Sequence, residues 1–510
     1  MQSGLLLALG IVLQLGTLCW AGIPYEACSN TCPKAKNGIC DEGRPVQGKT
    51  SHLLLWMATC DLGTDCDDCG PYITAAASVP WEDPRNVGPI GFLRSRDVQV
   101  RVMQAAVPPA LKFSFAYTDP AADSDVSRHM DDTGLVERGI SAVAYTLLKG
   151  RCLRPDGGRS LVVDVGANFG WFSLIAARLG CRVIAFEPVP LFRSFFTFSV
   201  HLNGLEGLID IRPRVVSHEG SKTMKMVVPG AGIWGTAGID GLNVDTRAGA
   251  AREEIEVPSV RLEDEIKEDV LMMKVDVEGW EWSVIAGAAG LLGNYTVENI
   301  LMEYSPGVAE RHYKWDAMAA TPGMLRDLIS KYGYSIGHIG DTDKHHAGDW
   351  EDPLPPLREV TLNNLKYDID DVRQWQNGTM ACPPPPELAK FAAWRHVCKG
   401  SPEGLSPRSF RSEFGFNTNI WCAKGASLGA PYLQLQGPVG VLNPNDPPAK
   451  FFQTNPLDYG MGGRPCYHLA PDVQVRHRCK CSKPEVCGEE ESLALQAVAA
   501  GHMAQNYVLP

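Results

Sequence analysis

The ten residues Leu161-Val162-Val163-Asp164-Val165-Gly166-Ala167-Asn168-Phe169-Gly170 constrain the fold more than any other part of the chain. Five β-prone residues are of strand length, and a glycine turn ends the run where a helical pattern begins. Phe169, Phe172, Ile175, Ala176 and Leu179 recur at helical spacing, and Gly180 closes that pattern as a C-cap does. A second apolar run, Arg182–Phe186, follows. A strand, a helix and a strand in this order form a βαβ unit with parallel strands.

The alternation continues. Further strands are expected at Ile209–Val216, Val270–Val275, Asn299–Tyr304 and Tyr334–Ile339. Short apolar runs between amphipathic stretches signal a parallel sheet with crossover helices, so residues 81–375 read as one α/β domain. Hydrophobic residues make up 45% of the 510 and charged residues 21%, a globular composition that excludes a mostly disordered chain or a many-pass membrane protein. The formal charge of −12, without a basic patch, argues against nucleic acid or an anionic membrane as partner.

Ligands in open α/β sheets bind at the carboxyl ends of the strands, and Asp164–Gly170 forms such an end. Gly166 and Gly170 permit a tight turn and close backbone approach. A dinucleotide fingerprint has glycine at the position of Asn168, and the acid just ahead of the turn suits a cation better than pyrophosphate. S-adenosylmethionine carries a sulfonium and an amino group, so Asp164 is assigned to its positively charged end. Glu187, at the tip of the second strand, sits roughly 20 residues further on, where an acid accepts hydrogen bonds from ribose hydroxyls. The cofactor-binding set is therefore Asp164, Gly166, Asn168, Gly170 and Glu187.

These residues resemble the FkbM-type methyltransferases. The likeness extends from Asp125-Val126-Ser127 and Glu137 through the turn, Phe186-Glu187-Pro188, His201-Leu202-Asn203-Gly204 and Val260-Arg261-Leu262-Glu263-Asp264. It ends with Met273-Lys274-Val275-Asp276-Val277-Glu278-Gly279-Trp280-Glu281 and the strand to Tyr304. The resemblance implies a class I, Rossmann-like three-layer sandwich that uses S-adenosylmethionine to methylate an oxygen, often on a sugar or natural-product scaffold. Gly230–Ala251 reads as an insertion, and such loops often build specificity.

Methyl transfer needs alignment above all, but a neutral hydroxyl also benefits from a base. Asp276 and Glu278, at the end of the fourth strand, are the catalytic candidates. Strand alternation would put them on one side. Alternatively, Asp276 orients the cofactor and Glu278 favours the N-terminus of the next helix. Two carboxylates without a third partner are too few for a metal, and none is expected. His345-His346, with Asp341 and Asp343, reads as an exposed loop. His201 is expected to pack in an aromatic helix, and Glu303 to line the pocket.

The ends differ in character. Leu5–Leu18 followed by Trp20-Ala21-Gly22 reads as a signal peptide, residues 1–21; an uncleaved anchor is the rival, and only then would a membrane be a partner. Six cysteines between Cys28 and Cys69 mark a disulfide-rich module, residues 22–80, whose six thiols allow 15 pairings. Its acids loosely resemble those of calcium-binding Lin repeats, but a disulfide-stapled module with a solvated acidic face is the favoured reading. Beyond Pro383-Pro384-Pro385-Pro386, seven cysteines suggest a second disulfide-rich unit, residues 380–490, before a tail, 491–510. Cys152 and Cys181 precede the first two strands and are expected to pair. Cysteine usage and two sequons, at Asn294 and Asn377, point to the secretory pathway, Golgi lumen or secreted.

Three functions fit these features. One is an O-methyltransferase for a glycan or small-molecule acceptor. The others are a carbohydrate- or protein-binding protein around an inactive methyltransferase-like domain, and an oxidoreductase, which the missing glycine disfavours.

Overall fold

The computed structural model describes residues 25–44, 55–74, 81, 86–108, 111–244, 252–311, 314–340, 350, 354, 357–362, 365, 417–425, 453–454 and 467–468. Its centre is an eight-stranded sheet. In chain order the strands are β1 (Leu161–Val165), β2 (Arg182–Phe186), β3 (Ile209–Arg212), β4 (Val270–Val275), β5 (Val297–Tyr304), β6 (Tyr334–Gly340), β7 (Arg358–Val360) and β8 (Thr418–Lys424). Across the sheet they run β7-β6-β8-β5-β4-β1-β2-β3. Strands β1 to β5 pair in parallel, whereas β8 is antiparallel to both β5 and β6.

Alternation along β1 sends Leu161, Val163 and Val165 to one core and Val162 to the other. The first core is closed by α4 (Glu281–Ala286), α5 (Ala289–Asn294) and α6 (Trp315–Ser330). The second is closed by α1 (Arg138–Leu148), α2 (Trp171–Arg178) and α3 (Pro190–Leu202). Helices on both faces make a Rossmann-like three-layer sandwich, the class I methyltransferase architecture expected from the sequence. The chain reverses direction across the sheet between β1 and β4, and that switch point opens the crevice in which such sheets bind ligands.

Two expectations need adjustment. The strand anticipated at Ile209–Val216 is two pieces, Ile209–Arg212 and Val215–Val216, because Pro213 has no N–H to give the ladder. Strand β8 arises from the stretch read as a separate cysteine-rich unit, yet it completes the main sheet, and its Cys422 is a buried free thiol. The insertion is framed by a hairpin, Thr223–Pro229 against Arg252–Val260, whose described turns lie over the switch point.

The N-terminal cysteines pair as Cys28–Cys66, Cys32–Cys60 and Cys40–Cys69. The module's acids are largely taken up by backbone donors of the protein itself. Asp61 accepts the N–H groups of Ile90 and Gly91 at 2.8 and 3.0 Å, and Asp68 those of Asn37 and Gly38. Leu55–Met57 pairs with Arg101–Gln104, which pairs with Ser114–Tyr117, so the module is continuous with a small sheet lying on α3. Trp81 meets the ring of His201 edge-on at 4.8 Å, the packing role expected for that histidine. Cys152 and Cys181 form the expected disulfide. The signal peptide, the loop with His345 and His346, Asn377 and the other C-terminal cysteines lie outside the described residues, among which no helix is long and apolar enough to cross a membrane.

Candidate functional site

The turn after β1 is shaped by three residues with left-handed backbones: Gly166 (φ 80°), Asn168 (φ 52°) and Gly170 (φ 88°). Gly166 is required by contact as well as by φ, since a Cβ there would lie 1.8 Å from the carbonyl oxygen of Asp276 on the neighbouring strand exit. At Gly170 a Cβ would enter the ring of Phe196, 2.0 Å from its Cδ2. The glycines therefore let the cofactor turn nestle between the exit of β4 and helix α3.

Two acids hold this turn. Glu187, 3% exposed, accepts the N–H of Asn168 and the N–H of Val189, each at 2.8 Å, so it ties the first turn to the second. Burial pushes its carboxyl up to about 7 against the pull of those two N–H groups. Asp164 accepts the Ser173 hydroxyl at 2.6 Å through Oδ2, while its buried Oδ1 has no hydrogen-bond partner. Burial raises it to about 6. Asn168 Oδ1 is likewise buried without a partner. Two idle acceptors beside a glycine turn are what a ligand rich in N–H, O–H and cationic groups requires, since a buried polar atom left unpaired is costly.

Beyond the turn, carboxylates gather around one lysine. Lys274 occupies β4 beside Asp164 of β1 in register, is 1% exposed, and donates to Asp276 Oδ2 at 2.8 Å. Oxygens of Glu137, Asp276 and Glu303 all lie within 4.8 Å of one another. Such oxygens are hard donors of the kind a divalent cation takes, and here the Lys274 ammonium supplies positive charge to the same group. Glu137 is lifted to about 7, by burial first; Glu278 and Glu303 are held well above the usual carboxylate range by burial and then by Asp276.

The backbone is strained at this same place. Glu137 (φ 43°) and Glu278 (φ 56°) adopt the left-handed conformation, as Asn168 does. Non-glycine residues hold that conformation at a cost of about 1–3 kcal/mol, and such strain collects at functional sites.

Residues 164–336 match the family model of the methyltransferase FkbM domain. That span runs from the end of β1 into β6 and covers about a third of the chain. S-adenosylmethionine is the methyl donor of the family. No curated protein sequence matches the chain. Similar solved structures include a precorrin-6y C5,15-methyltransferase from Geobacter metallireducens GS-15, with 12% identity over 39% of this chain and 72% of that one, at a TM-score of 0.22. The plantazolicin methyltransferase BpumL in complex with SAH has 9% identity, 59% and 88% coverage and a TM-score of 0.23. P. horikoshii TYW2 in complex with MeSAdo has 14%, 53%, 80% and 0.22. Likenesses this loose carry no argument about chemistry.

The structure brings Asp164, Gly166, Asn168, Gly170 and Glu187 together at the switch point, and Asp276 stands beside them just past β4. The reason given for Glu278 does not hold: β4 ends at Val275, so strand alternation cannot align Asp276 with Glu278. Glu278 instead accepts the side-chain amide of Asn243, from the insertion. Glu303 joins Glu137 and Asp276 and accepts the amide of Asn417, ahead of β8. Lys274 and the role of Glu137 escaped the sequence reading. A lone lysine in the otherwise apolar Val270–Val275 was the available signal, because a strand covered on both faces tolerates charge only with a partner.

Proposed function

We propose that this protein is an S-adenosylmethionine-dependent O-methyltransferase of the secretory pathway, acting on a hydroxyl of a glycan or glycoconjugate, with Asp276 as general base. The observation that carries the reading is the Asp276 carboxylate, 23% exposed in its side chain and held by Lys274 at the exit of β4, on a residue whose backbone carbonyl packs against the glycine turn at Gly166.

The bound cofactor supplies an electrophilic methyl group on a sulfonium. Asp164 Oδ1 and Asn168 Oδ1 offer acceptors to its polar end, and Glu187 offers remaining lone pairs to its ribose. Asp276 takes the proton of the acceptor hydroxyl as the oxygen attacks. The C–S bond breaks, an O–CH3 bond forms, and the products are S-adenosylhomocysteine and a methyl ether. Glu278, bonded to Asn243, lines the acceptor side.

Four disulfides support an oxidising compartment. A Golgi-type lumen fits better than the extracellular space, because the methyl donor is made in the cytosol and must be imported. Asn294 is exposed, as a glycosylated sequon must be.

Calorimetry should give binding of S-adenosylmethionine and none of a dinucleotide. Incubation with radiolabelled donor and a glycan panel should label one acceptor class. Asp276→Asn should lower turnover by about 10²–10⁴-fold, the usual worth of a general base, with donor affinity nearly unchanged. Equal turnover in that variant would remove Asp276 from the mechanism, and a chain that binds no donor would be a binding protein instead.

A further inference from the structure

We propose that Lys274 is a positioning residue for the transfer: a built-in cation that holds Asp276 in place and offsets its negative charge among the clustered carboxylates. The proposal rests on the reading of Asp276 as base.

A lysine buried to 1% inside a parallel strand has to be explained. Its ammonium lies over the ring of Phe172, 5.0 Å from the centroid, and an apolar side chain in its place would fill the strand position. What an apolar side chain would not provide is charge. Asp164 faces the lysine from β1 and Glu303 from β5. Glu137 reaches it from the start of α1 and Asp276 from the loop after β4, and Asp125 and His129 stand behind Glu137. One ammonium thus stands among at least four carboxylates, three of them with oxygens within 4.8 Å of each other. Burial alone would favour neutral lysine, but Asp276 and Glu137 outweigh it and raise its pKa above the ordinary value.

Position follows from the same contact. Asp276 lies one residue beyond the strand, and its backbone N–H is already spent on Val165 O at 3.0 Å. The side chain then has one fixed support, the 2.8 Å bond from Lys274 Nζ to Oδ2, which leaves Oδ1 to face an acceptor. Lys274 therefore acts through Asp276 and touches no reacting atom.

Lys274→Met tests this with two readouts. The first is capillary electrophoresis, which needs no acceptor. If the carboxylates take up a proton once their cation is gone, the variant will differ from the wild type by clearly less than one charge at pH 7, and by one full charge near pH 10. A full charge at every pH would overturn the proposal. The second is label transfer from S-adenosylmethionine to the glycan panel. Lys274→Met should lose about 100-fold at pH 7 and regain part of it at pH 9, and Lys274→Met/Asp276→Asn should be no slower than Asp276→Asn alone, as expected for residues acting as a unit. Multiplying losses would overturn the role through Asp276. Lys274→Arg keeps the charge and should recover part of the rate; if Lys274→Met lacks a melting transition, Lys274→Arg falling to the level of Asp276→Asn while still folded refutes the idea. Should the wild type label no glycan, the O-methyltransferase reading fails, while electrophoresis still decides whether Lys274 balances the cluster.

Discussion

Replacing Gly166 with alanine adds one methyl group where the cofactor turn touches the exit of β4. The new Cβ would fall 1.8 Å from the Asp276 carbonyl oxygen and 2.9 Å from its carbon, both backbone atoms that cannot rotate aside. Alanine must also hold φ near 80°, which costs roughly 1–2 kcal/mol. Overpacking a tight contact adds about 1–3 kcal/mol. Together these come to about 2–5 kcal/mol, or a fall in Tm of the order of 10 °C for a domain of this size. The turn and Asp276 must separate, so the loss should reach function as well: donor affinity measured by calorimetry should fall at least tenfold, even at a temperature where the variant remains folded. A Gly166→Ala protein that melts within 2 °C of the wild type and binds S-adenosylmethionine as tightly would refute the claim that this contact shapes the site, as ~1 kcal/mol should already be visible.

Other outcomes follow from the same geometry. Glu187→Gln puts an amide donor against the N–H of Asn168 or Val189, and should cost about 1–3 kcal/mol in a chemical melt while weakening donor binding. Asp164, raised by burial to about 6, and Glu137, Glu187 and Glu281, each raised by burial to about 7, bind protons more tightly folded than unfolded. Their contribution is complete below about pH 4 and lost as pH rises through 6 to 7, so Tm should decline between pH 5 and 8; a rise across that window would contradict the assignment. Removing the Cys152–Cys181 bridge by a double alanine substitution should cost about 3 kcal/mol with little change in donor affinity, and peptide mapping without reductant should recover the linked pair.

The parallel strands were legible because each is a short apolar run between glycine turns and helical spacing, and β1, β2 and β4 begin and end where that pattern places them. The placement of Asp164 and Glu187 beside the glycine turn was legible for a related reason: each stands at the carboxyl tip of a strand that the apolar pattern marks. Strand β8 was hidden. Seven residues set among prolines and cysteines carry no periodicity that distinguishes a sheet strand from a loop, and its partners are more than 70 residues away. Lys274 and Glu137 were hidden in another way. Their meaning comes from the distance between carboxylates brought together by α1, β4 and β5, and no local pattern encodes that distance.

Strand β8 also dictates when the domain can exist during synthesis. Until the ribosome has made Lys424, β5 and β6 present two facing rows of unpaired backbone groups, an open slot of the kind other chains can enter. Because Glu303 on β5 sits opposite Asn419, that slot borders the carboxylate cluster. A chain cut at the proline run would expose a sticky edge beside that cluster, so an expression fragment meant to keep the sheet whole has to extend past residue 424.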